Sequence, residues 1–180
     1  DAVVSRGLGD VYKRQYSDDE KFGMIGVIIH EIGHNFFPMI VNSDERQWAW
    51  MDEGLTTFVQ YLAEQEFGEK YPEIIAPLDK FPSDRGPAQL ITDYMSVDQN
   101  FLAPIMSNPE NVYYLGPNAY GKPAAALNIL RETIMGKELF DYAFKTYSQR
   151  WMFKHPTPED FFRSMAVSYT HLTLPTTFGV

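Results

Sequence analysis

His30-Glu31-Ile32-Gly33-His34 places two imidazoles four residues apart. On an α-helix, which rises about 5.4 Å per turn, that spacing stacks them one above the other on one face, so both can reach one metal ion. Glu31 sits roughly 100° round the helix, out of the ligand row but able to touch a water on that ion. The competing reading is a His-rich helical turn with its acid on a solvated face.

The flanks favour the metal. Residues 22–29 read Phe-Gly-Met-Ile-Gly-Val-Ile-Ile, and Phe22, Ile25, Ile29, Ile32 and Phe36 fall at helical spacing. A helix this apolar is expected to be buried, where ionisable groups need partners or a metal. Gly26 and Gly33 would let another backbone or a substrate come close. Ser17, Asp18 or Asp19 can cap the start, and the helix is expected to end between Pro38 and Asn42. After a polar connection over 42–47, a second helix is predicted from Trp48 to Phe67. Its apolar stripe is Leu55, Phe58, Val59, Leu62 and Phe67, with Gln60, Glu64, Gln65 and Glu66 mostly outside it.

Glu53 stands near the start of that helix, in Trp50-Met-Asp-Glu-Gly54. The 18 residues between His34 and Glu53 suffice for a helix end, a loop and an antiparallel return. Two histidines and one glutamate leave the fourth position of a tetrahedral zinc open for water, the arrangement of a catalytic rather than a structural site. His30, His34 and Glu53 are therefore the expected ligands of one Zn2+ per chain.

Composition narrows the field. Lys plus Arg is 15 against 24 Asp plus Glu, a net charge of −9 over 180 residues. That balance, without a basic run, argues against nucleic acid or an anionic membrane as partner. No Cys is present, which excludes disulfides and thiolate zinc sites. No apolar run reaches transmembrane length. Residues 4–15 and 167–177 resemble translated sequencing-adapter sequence. On that reading 1–15 and 167–180 are non-native, 16–166 is one domain, and His171 has no function; ordinary termini are the other reading.

Downstream, residues 68–118 are broken by prolines, with a turn at Asp84-Arg85-Gly86-Pro87 and a helix expected over Ala88–Ser96. Tyr120 precedes a helix with Pro123 in its first turn and Ala126, Leu127, Ile129, Leu130 and Ile134 behind it; Gly136 ends that helix. Leu139, Phe140, Ala143, Phe144, Tyr147 and Trp151 read as the core stripe of a helix over Lys137–Phe153. Thr157-Pro158-Glu159-Asp160 opens a short helix carrying Phe161, Phe162 and Met165. His155, ahead of Pro156, has no partner spacing for a metal. No strand pair or internal repeat is evident, so the fold class is mainly α.

His30-Glu-Ile-Gly-His34, 18 residues, then Trp50-Met-Asp-Glu53-Gly resembles the gluzincin signature of the aminopeptidase-N-like zinc metallopeptidases. Asp52 stands where that family usually has Asn. Metzincins would need Gly and His where this chain has Phe37 and Ile40. The resemblance implies the helical portion of a thermolysin-like catalytic domain, with Glu31 as general base. It also implies a role for Tyr120-Gly-Lys122-Pro123, which matches a family Y-x-K-G segment except at Pro123: Tyr120 would hydrogen-bond the oxyanion. The implied function is zinc-dependent hydrolysis of peptide or protein substrates, of aminopeptidase type. The family's upstream G-A-M-E-N-type motif, which holds a free amine, is absent from the sequence. Alternatives are a non-catalytic helical scaffold with a relict motif, or a zinc hydrolase acting on another electrophile such as an epoxide.

Overall fold

The computed structural model describes residues 17–72 and 95–173. Residues 1–15, the turn at Asp84–Pro87, the expected helix at 88–96 apart from its last two positions, and the side chain of His171 lie outside them. Every regular element among the described residues is helical, as the sequence predicted.

Helix α1 is Asp18–Gly33. Of the three candidate caps Ser17 is the one used: its hydroxyl accepts from the Glu20 amide, and the Glu20 carboxylate accepts from the Ser17 amide. The helix stops earlier than predicted. His34 is its C-terminal cap, and a turn over Asn35–Ile40 contains Phe37 in extended geometry, which ends helical hydrogen bonding. The chain returns through a π-helical turn, Trp50–Gly54, that runs into helix α2, Leu55–Lys70. Another π-helical turn, Pro117–Gly121, leads into helix α3, Lys122–Ile129. Gly136, at φ +82°, separates the following turn from helix α4, Lys137–Trp151. Helix α5, Pro158–Thr173, is longer than the short helix the sequence suggested, because helical geometry continues past Val167. It opens on Thr157, whose amide donates to the Asp160 carboxylate.

The core lies among α2, α3, α4 and α5. Phe58, Phe140, Tyr147 and Phe161 are fully buried, Phe144 packs against them, and their rings meet edge-on or stacked. Trp50 closes one end between Phe161 and Phe162. The stripe predicted for α4 is therefore the one used. On α3 the buried side is Ala124, Ala125 and Leu127, whereas Ile129, and Ile134 in the turn that follows, face outward.

Helix α1 departs from its expected full burial. Phe22 and His30 are buried, but Met24, Val27, Ile28 and Ile32 are about half exposed or more. Only the face carrying Gly26, His30 and Gly33 is packed, and it is packed on α2. A Cβ at Gly33 would lie 3.0 Å from the Thr56 methyl, and one at Gly26 would lie 2.9 Å from the Glu64 carboxylate. The close approach expected of these glycines is that of α2.

Gly54 performs the corresponding service on the other side of α2. A Cβ there would collide with the Pro123 ring and come within 2.9 Å of the Ala119 carbonyl. The residue after Glu53 thus seats the turn that carries Tyr120. Gly54→Ala forces these elements apart and is expected to cost about 1–3 kcal/mol of stability, read as a lowered melting temperature of the metal-free chain. An unchanged melting temperature would show that the contact yields freely.

Candidate metal centre

α1 delivers His30 and His34 one turn apart, and the π-helical turn ahead of α2 brings Glu53 between them. Glu53 Oε2 lies 3.1 Å from His30 Nε2 and 3.3 Å from His34 Nε2. The donor atoms of the three residues all fall within 4.8 Å of one another, close enough to hold a metal ion. No other group of three such residues does so among the described residues. His155 is exposed and lies apart, in a second cavity with Asp44 and Glu45.

The surroundings decide which imidazole nitrogen is free. His30 Nδ1 lies 3.0 Å from Gln60 Oε1, and His34 Nδ1 lies 2.9 Å from the Phe37 carbonyl. Both oxygens only accept, so each Nδ1 carries a proton and donates it, and Nε2 is the nitrogen turned to Glu53, where it can donate to the carboxylate or offer its lone pair to a metal. The Thr56 hydroxyl also donates to the Phe37 carbonyl, at 2.8 Å, and fixes that acceptor. Asp52 Oδ1 stands 2.9 Å from His34 Nδ1 without the alignment of a hydrogen bond.

Charge at the site is strongly coupled. Burial pushes the His30 imidazole down, but hydrogen bonds with Glu53 and Gln60 and the charges of Glu53 and Glu31 outweigh it and leave its pKa raised. Burial pushes the Glu53 carboxyl up, but hydrogen bonds from His30 and Tyr120 and the charges of both histidines leave it lowered. Asp52 is pushed up to about 7, first by burial, then by the Glu53 charge and a hydrogen bond with Glu45. The His30 imidazole proton and the Glu53 carboxylate hold each other in place.

A cavity of about 510 Å³ opens onto this triplet. Glu31 lines it from the exposed side of α1, and Tyr120 lines it from the turn before α3, its ring stacked 5.7 Å from His30. Tyr120 also hydrogen-bonds Glu53. Its turn is held by Asn118 and Lys122, which both donate to the Ala103 carbonyl. All five residues singled out in the sequence therefore border one cavity.

The Peptidase family M1 domain matches residues 8–175. The chain belongs to peptidase family M1. Its helices are accordingly the helical part of an M1 catalytic domain, a hydrolase of metallopeptidase class. "Probable aminopeptidase 2" of Sulfurisphaera tokodaii is 23% identical over 164 residues, covering 91% of this chain and 20% of its own length. Endoplasmic reticulum aminopeptidase 1 of Homo sapiens is 26% identical over 155 residues, covering 83% of this chain and 15% of its own. Its Mus musculus counterpart is 22% identical over 154 residues, covering 85% and 16%. The chain spans a fifth of these relatives' length or less.

Two buried polar residues beside the triplet were misplaced by periodicity. Gln60 and Glu64, expected mostly outside the apolar stripe of α2, are 3% and 0% exposed. They recur seven and eleven residues after Glu53, a spacing that returns to one side of a helix. Read from Glu53 rather than from the apolar stripe, that spacing would have placed both residues under α1.

Proposed function

We propose that this M1 domain belongs to a zinc-dependent aminopeptidase. The observation that carries the reading is the convergence of His30 Nε2, His34 Nε2 and Glu53 Oε2 at the floor of a cavity bordered by Glu31 and Tyr120. Two neutral imidazoles and one carboxylate suit zinc, and three protein ligands leave a position for water or substrate. Zinc held there would lower the pKa of a water toward about 7 and polarise a scissile carbonyl.

The chain's own residues supply the rest. Glu31 lies outside the ligand triplet and faces the cavity, where its carboxylate can take the proton of the attacking water and return it to the leaving amine. Tyr120, on the opposite side, donates its hydroxyl to the oxygen on which negative charge develops. That hydroxyl hydrogen-bonds Glu53, which holds the Tyr120 side chain at the edge of the metal-ligand triplet. The family and the names of the relatives support peptide hydrolysis from the amino end.

Elemental analysis of the purified chain beside its Glu53→Ala variant tests this reading. Close to one zinc per chain in the parent, and much weaker retention in the variant, is the expected result. A folded parent that takes up no zinc would overturn it.

A further inference from the structure

Beneath His30 lies a buried polar pair that the proposed chemistry leaves unused. Gln60 Oε1 faces His30 Nδ1 at 3.0 Å, and Gln60 Nε2 donates to Glu64 Oε1 at 2.8 Å. Glu64 is fully buried, and Gly26 of α1 lies directly above it, where a Cβ would come within 2.9 Å of Glu64 Oε1 and 3.3 Å of Gln60 Nε2.

We propose that Glu64 is a positioning residue for the metal site, acting through the Gln60 amide to fix which nitrogen of His30 carries the proton. The inference rests on the zinc reading above. A primary amide is two-faced: it can present its oxygen or its NH2 to either neighbour. The Glu64 oxygen that meets it is not, because Oε1 accepts from Gln60 Nε2. Facing Glu64, the amide must turn its nitrogen inward and its oxygen toward His30. His30 Nδ1 must then be the donor, and Nε2 keeps the lone pair that a metal needs. With the amide reversed, its NH2 would face Nδ1, drive the proton to Nε2 and close His30 to the metal. The polarity of a buried acid two links away thus sets the polarity of the ligand.

Zinc dissociation constants of the full chain, measured by competition with a chelating dye, test this. Glu64→Gln keeps size and hydrogen bonding but can donate as well as accept, so it no longer dictates the amide's direction. Its zinc affinity is expected to fall about tenfold. The double variant Gln60→Glu/Glu64→Gln places the acceptor-only carboxylate beside His30 and an amide donor behind it. Affinity should then return to within about threefold of the parent, because the direction is enforced again. In the zinc-loaded parent and double variant the His30 Nδ1–H proton should exchange slowly with water by NMR, and fast in Glu64→Gln.

A Glu64→Gln variant that binds zinc like the parent would overturn the proposal while leaving the metal site standing. A double variant as weak as the single one would overturn it too, by showing that Glu64 serves packing alone. If Glu64→Gln does not fold, the double variant decides by the same criterion. A folded parent that binds no zinc would remove the metal reading, and this inference with it.

Discussion

Glu31→Gln is expected to retain zinc as the parent does and to hydrolyse aminoacyl-arylamides about 10²–10⁴-fold more slowly. The two halves of this expectation have separate physical causes. Retention follows from geometry: the donor atoms that converge belong to His30, His34 and Glu53, while Glu31 points from the next position of α1 into the cavity. Loss of rate follows from chemistry, since glutamine fills the same space but cannot take a proton from water. Glu53→Ala is the necessary comparison, because it removes a ligand and should remove metal and activity together. Equal zinc loss in the two variants would place Glu31 among the ligands. Undiminished hydrolysis in Glu31→Gln would assign the proton to another group.

Asp52→Asn is expected to move stability and metal affinity in opposite directions. The Asp52 carboxyl is pushed up to about 7 in the folded chain against an ordinary 3.8, by burial first and then by Glu53 and Glu45. A raised carboxyl pKa means that the folded state binds that proton more tightly than the unfolded state. The linked loss of stability is absent below the ordinary carboxyl range, grows as pH rises and is complete above about 7. Asparagine carries no such charge. The metal-free variant should therefore melt higher than the parent at pH 8, by on the order of 5 °C, and the difference should vanish near pH 4. Zinc reverses the balance, because a carboxylate beside His34 Nδ1 makes that imidazole a better ligand. Affinity should fall about tenfold, the lower end of the range for groups that support a ligand. Thermal melts across this pH range, with and without zinc, check both signs. A variant that melts lower at pH 8 would show that Asp52 is held by contacts stronger than the repulsion.

The convergence of His30, His34 and Glu53 was legible in the sequence because its evidence is local. His30 and His34 meet through helical spacing alone, and Glu53 needs only a chain reversal of ordinary length. Tyr120 was legible through resemblance, not through periodicity. What the sequence concealed has one physical origin: polar residues on a buried helical face look like surface. Gln60 and Glu64 are hydrophilic by type, yet they lie under α1, where Gln60 faces His30 and donates to Glu64. The reverse error occurred on α1, where Met24, Val27, Ile28 and Ile32 are apolar by type and exposed in place. An apolar stripe reports that a surface can be covered, and only the packing shows whether it is. The early end of α1 was likewise hidden, because Pro38 follows an extended Phe37 and the backbone leaves the helix before proline requires it.

The seating of Pro123 against Gly54 has an implication for how such a domain can diversify. Glu53 and Tyr120 are far apart along the chain, but their separation in space is set by the contact between the residues beside them. Closing a longer connection adds only slowly to the entropy already lost. Between the end of α2 and Ala103, whose carbonyl holds the Tyr120 turn, a change in the length of the connection would therefore leave the spacing of Glu53 and Tyr120 as it is.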